Sequence, residues 1–121
     1  MIQTIEFPAP CKPLNANERK HWAEKARRTR DWRDVAGAVA MIKRVQPVDH
    51  GKVTVYFSLP DKRRRDIANL QPTVKAIVDG LVDAGVFTDD RDEIVTGQDA
   101  RRGPLSTDGR VWVRVEIEAQ P

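Results

Sequence analysis

Apolar and polar residues change their spacing along this chain, and each change marks an element. Lys52 to Leu59 alternates without a break: Val53, Val55, Phe57 and Leu59 share one face, Thr54, Tyr56 and Ser58 the other. That period of two predicts a half-buried strand. Ile2 to Phe7 alternates more loosely and stops at Pro8 and Pro10, predicting a short strand, then a proline- and asparagine-rich loop from Pro8 to Asn17. From about Asn17 to Val45 the spacing turns helical, with Trp22, Ala26, Trp32, Ala36, Val39 and Ala40 as the expected buried stripe. Gly37 weakens that helix slightly and Pro47 ends it. A second helix is predicted over about Gln71 to Ala84, buried along Val74, Ile77, Val78 and Leu81. Pro72 suits its first turn, where a missing N–H costs nothing, and Gly85 suits its C-terminal stop. Glu93 to Arg102 reads as a further strand. Asp108-Gly109 then turns the chain into a final strand with Val111, Val113, Val115 and Ile117 on its apolar face. The expected fold is α/β (α+β): one domain over residues 1–121, a small mixed β-sheet with two packed helices.

A chain of 121 residues is too short for two independent cores. Nothing in it approaches the roughly 20 consecutive apolar residues of a membrane span, so no membrane association is expected. Met1 to Ile5 carries no basic segment leading into an apolar run, so a secretory signal is not expected. The one cysteine, Cys11, has no internal disulfide partner, which suits a reducing cytoplasm. It sits between prolines without a histidine pattern, so thiol chemistry is not expected. The net charge of +3 is too mild to argue for nucleic acid, but its distribution is uneven. Cations gather at Arg19, Lys20, Lys25, Arg27, Arg28, Arg30 and Arg33, again at Lys62, Arg63, Arg64 and Arg65, and at Arg101-Arg102. Acids crowd between Asp79 and Glu93. This separation of sign allows an acidic pocket rimmed by positive charge, as a metal-dependent nuclease requires.

Two segments carry the candidate chemistry. Asp61 to Leu70 joins a strand to a helix and holds four consecutive cations ending on Asp66. The cations suit phosphates, and Asp66 suits a metal bridging to a phosphate oxygen; the alternative is a solvated turn in which Asp66 or Asn69 caps the second helix. Further on, Asp79 and Asp83 lie four apart on that helix, Lys75 stands one turn before Asp79, and Asp89-Asp90 and Asp92-Glu93 follow Gly85. Crowded carboxylates repel and raise one another's pKa, and a divalent cation relieves that repulsion. Carboxylate oxygens suit Mg²⁺, which takes only one or two from a protein. The alternative here is an exposed acidic turn. His21 and His50 fit no catalytic pattern. Trp22 and Trp32 fit the buried stripe, as core or dimer contact, better than a base-stacking role.

Read in order, Pro60 to about Val95 resembles the RusA family of Holliday-junction resolvases: a basic run, an aspartate, Asn69-Leu70, the helical Lys75, Asp79-Gly80-Leu81, then Asp89-Asp90. The loop with Asn15 and Asn17 and the final strand are similar too. The resemblance implies a small homodimeric, Mg²⁺-dependent endonuclease, with Mn²⁺ able to substitute, acting on branched DNA such as the four-way junction. It implies Asp66 and Asp90 as essential acids and metal ligands, Asp79 as a third acid at the metal, and Lys75 as a group assisting catalysis. Lys62, Arg63, Arg64, Arg65 and Asn69, with Arg27 and Arg28 on the first helix, are the expected DNA-binding residues. Two paired nicks across a junction require two sites related by a two-fold axis, hence the homodimer. The family's phage and prophage setting implies the cytoplasm of a bacterial or phage-infected host cell.

The chain departs from the family pattern twice. Ala68 stands where the family has its second catalytic aspartate, and about three extra residues lie around Pro72 to Val74. Alanine cannot ligate a metal. Either another carboxylate compensates (Asp79 first, then Asp83, then Asp92) or the chain binds junction DNA without cutting it. A regulator using the basic helix alone is a third reading.

Overall fold

The computed structural model describes residues 1–19 and 21–121. Four strands and two α-helices follow in the order β1 (Ile2–Pro8), α1 (Trp22–Ile42), β2 (Gly51–Ser58), α2 (Gln71–Asp83), β3 (Val95–Arg102) and β4 (Trp112–Ala119), with a 3₁₀ turn, Ile67–Leu70, leading into α2. The sheet order is β1-β4-β2-β3. β4 is antiparallel to both β1 and β2, whereas β2 and β3 run parallel around α2, so the sheet is mixed as expected. Among the described residues no helix is long and apolar enough to cross a membrane.

The register explains the core. Ile5 opposes Val115 and Val55 opposes Val115, so the odd-numbered residues of three strands share one face. On that face Ile5, Phe7, Val53, Val55, Phe57, Val113, Val115 and Ile117 are buried beneath Trp32, Ala36 and Ala40 of α1 and Val74, Ile77, Val78 and Leu81 of α2. The opposite face, with Thr54, Tyr56, Arg114 and Glu116, remains half-exposed. β3 obeys a different parity. Gly51 opposes Val95 but Lys52 opposes Gly97, so one extra residue, Thr96, is accommodated and Ala100 rather than an odd-numbered residue packs inward. Asp108-Gly109 turns into β4 as expected, but β4 lies beside β1 and β2, not beside β3.

The helices cross where they carry no side chains. A β-carbon at Gly80 would lie 2.3 Å from the Arg33 carbonyl oxygen, and one at Gly37 would lie 3.0 Å from the Gly80 carbonyl oxygen. Gly37 is therefore the contact that lets α2 approach α1. α2 matches its predicted span within a residue: Pro72 is in its first turn and Gly85 follows its end with φ +80°.

α1 departs from expectation in two ways. It begins at Trp22, with the His21 ring accepting the Ala23 N–H at 3.2 Å, so Arg19 precedes the helix. Lys20 lies outside the described residues. The buried stripe also differs. Trp32, Ala36 and Ala40 are buried and Val39 packs partly against the core, but Trp22 and Ala26 face outward, and Arg28 is buried instead. The N-terminal part of α1 meets the Lys12-Pro13 loop, whose backbone carbonyls accept from Arg28.

Candidate active site and its basic surround

The Asp61–Leu70 loop begins where β2 ends. Asp61 organises its start: its carboxylate accepts the Arg63 N–H at 3.0 Å and the Arg65 guanidinium at 2.8 Å, and Arg63 lies 3.5 Å away. The Arg65 hydrogen bond, helped by the Arg63 N–H, holds the Asp61 carboxyl below the usual carboxylate range. Lys62, Arg63 and Arg64 are exposed, as a phosphate-binding run must be. Arg102, at the end of β3, donates to the Arg65 carbonyl oxygen at 2.7 Å, so tertiary structure joins the Arg101-Arg102 pair to the basic loop. Neither Asp61 nor Arg102 was among the expected site residues. Asp61 was detectable as an Asp two residues before a backbone N–H in a turn, whereas Arg102 depends on the β2–β3 register.

Asp66 is exposed, and its carboxylate accepts the Ala68 N–H at 3.1 Å, capping the 3₁₀ turn. The cap expected from this loop is present, but it closes the turn before α2. Asn69 donates its N–H to the Asp66 carbonyl at 3.0 Å, and its own carbonyl accepts the Ala16 N–H at 2.8 Å, fastening the proline-rich loop to the basic one.

The second cluster forms because the chain after α2 folds back along it. The Lys75 ammonium donates to Asp79 at 2.8 Å one turn away and to Asp90 in the returning loop. Three expected site residues thus converge on one positive charge. Partial burial lowers the Lys75 pKa, but the hydrogen bonds to Asp79 and Asp90 outweigh it and raise the value, so the ammonium stays charged at neutral pH. The Lys75 hydrogen bond, and then the one with Asp89, hold Asp90 below the usual range. Asp89 also accepts the Asp90 N–H at 2.7 Å and pairs with Arg91 at 3.2 Å. Lys75 is accordingly suited to neutralise charge rather than to accept a proton.

Two carboxylates from separate segments meeting at one cationic point are a hard-oxygen donor pair of the kind Mg²⁺ takes, with water completing its shell. Among the described residues no group of three or more His, Cys, Asp and Glu is arranged to hold a metal. The acids considered as substitutes for position 68 differ in their freedom. Asp83 is held by Arg33 of α1 through hydrogen bonds of 2.5 and 2.8 Å, and Arg33 draws its pKa down. Asp92 is exposed. Asp79, already facing Asp90 across Lys75, is the best placed.

The first helix contributes less than expected. Arg27 is exposed. Arg28 is 5 % exposed and fully committed inside: it meets Glu18 at 3.1 and 3.2 Å and donates to the carbonyls of Lys12 at 3.1 Å and Pro13 at 2.5 Å. Its assignment to DNA binding is therefore corrected: Arg28 pins the N-terminal loop to α1. Cys11 lies half-buried beside it, and burial pushes the thiol up from its ordinary value, which leaves it un-ionised at neutral pH. Compared with known proteins, the sequence matches no family model and no curated protein.

Proposed function

We propose that this chain is a Mg²⁺-dependent, structure-selective endodeoxyribonuclease that cuts branched DNA such as the four-way junction, as a cytoplasmic homodimer. The observation that supports it best is the meeting of Asp79 and Asp90 at Lys75. The order of these residues along the chain, which resembles the RusA family, supplies the substrate class and the dimer.

In this reading Asp79 and Asp90 would hold the metal. A bound Mg²⁺ supplies Lewis-acid charge and lowers the pKa of an attached water. Lys62, Arg63 and Arg64 bind phosphates of the DNA arms through salt-dependent contacts. Lys75, kept charged by its two carboxylates, would offset charge developing on the phosphoryl oxygens.

The test is cleavage of an end-labelled four-way junction beside a linear duplex, in Mg²⁺, Mn²⁺ or EDTA. The expected result is paired, metal-dependent nicks in the junction, with Asp90→Asn slower by about a hundredfold or more. A second reading has its own support. Ala68 offers no ligand, Asp66 is engaged with the Ala68 N–H, and Lys75 already balances both other acids. A protein so balanced binds junctions without cutting them. Tight junction binding in EDTA with no nicks in either metal would select that reading and overturn the nuclease.

A further inference from the structure

Trp22 is 75 % exposed at the first turn of α1, in contrast to its expected place in the core. The His21 ring braces it, with centroids 5.7 Å apart and planes inclined by 30°, and His21 is itself fixed by the Ala23 N–H. Trp22 lines a groove of about 590 Å³ that follows Lys25, Ala26, Arg30, Arg33 and Asp34. The spacing of three to four residues puts these side chains on one helix face. Arg33 already serves Asp83, which leaves Lys25 and Arg30 as the groove's uncommitted cations, against the one carboxylate of Asp34.

We infer that this groove binds single-stranded nucleic acid, with one base stacked on Trp22 and the neighbouring phosphates against Lys25 and Arg30. An indole interleaved with cations meets both requirements of such a ligand: every base offers a π-face, and the backbone offers a phosphate at each step. Duplex DNA gains nothing from the indole, because its bases are already stacked on one another. The inference is independent of the nuclease reading, because it concerns an equilibrium that needs no metal and none of Asp66, Asp79 or Asp90.

The test is a titration of the intact chain in EDTA with oligothymidylate of about twenty nucleotides, beside a duplex hairpin of similar charge, at several salt concentrations. Wild type is expected to bind the oligothymidylate with quenching of tryptophan emission. Trp22→Ala is expected to weaken that binding about tenfold and abolish most of the quenching, while Trp22→Phe retains most of the affinity. The duplex affinity should be the same for all three, and Arg30→Gln should flatten the salt dependence. Sedimentation and a denaturation midpoint accompany each variant. Unchanged oligothymidylate binding by Trp22→Ala overturns the inference, as does an equal loss for the duplex. A lighter sedimenting species for Trp22→Ala would make the groove a contact between copies and overturn it as well.

Discussion

At the scale of the residue, Arg27 and Arg28 show how little a residue type says about its task. They are adjacent and chemically identical, yet one is exposed and the other is 5 % exposed with four hydrogen bonds. Burying a guanidinium is tolerable only when its donors are matched, and a planar fork matches Glu18 on one side and two carbonyls on the other. Removing it takes the guanidinium away from the Glu18 carboxylate, only 19 % exposed at the side chain, and from the Pro13 carbonyl, while the Lys12 carbonyl keeps the Trp32 indole N–H at 3.3 Å. Arg28→Ala is expected to lower stability by about 3 kcal/mol, and Arg27→Ala by no more than about 0.5 kcal/mol. Urea denaturation of the two variants checks this. Equal midpoints would mean that the Arg28 network contributes nothing.

At the scale of the element, the crossing of α1 and α2 depends on two glycines, because any β-carbon at Gly80 would meet the Arg33 carbonyl oxygen at 2.3 Å. Backbone cannot give way as a side-chain tip can. Gly80→Ala is expected to push the helices apart and cost about 3 kcal/mol. The same displacement should break the Arg33–Asp83 pair that spans the crossing. Thermal unfolding measures the first effect, and faster amide exchange in α1 and α2 reports the second. A Gly80→Ala chain as stable as wild type would show that the helices repack freely. Because Asp79 and Lys75 sit on α2, this crossing also sets where the candidate site lies.

At the scale of the whole molecule, four acids, two exposed and two half-buried, share one electrostatic habit. Asp61, Asp83, Asp90 and Asp108 are drawn below the ordinary 3.8 by Arg65, Arg33, Lys75 and the Trp112 N–H respectively. A carboxyl with a lowered value in the folded state stabilises fully above its unfolded value and loses that contribution as the pH falls through the folded one. The denaturation midpoint should therefore hold steady from neutrality down to about pH 4 and fall progressively below it. High salt should blunt the fall, since all four pairs are open to solvent. A midpoint independent of pH between about 4 and 2 would contradict these pairings.

Features that depend on consecutive residues are written in the order of the residues. The strict alternation of Lys52 to Leu59 and of the last strand, the helical stripe of Val74 to Leu81, the Pro72 start and the Gly85 stop are consequences of backbone geometry and side-chain period, and all were legible. So was the cluster of Lys75 and Asp79, one helical turn apart. Features that depend on distant partners arise in the folded chain. Folding placed β4 between β1 and β2 and shifted the parity of β3 at Gly51. It turned Arg28 inward and Trp22 outward, because the first turns of α1 meet loop carbonyls on one side and solvent on the other. It joined Asp83 to Arg33 across 50 residues and Asp90 to Lys75 across 15. Periodicity specifies which face of an element is apolar, but charged groups find their partners through space, and that geometry exists only after the core has closed.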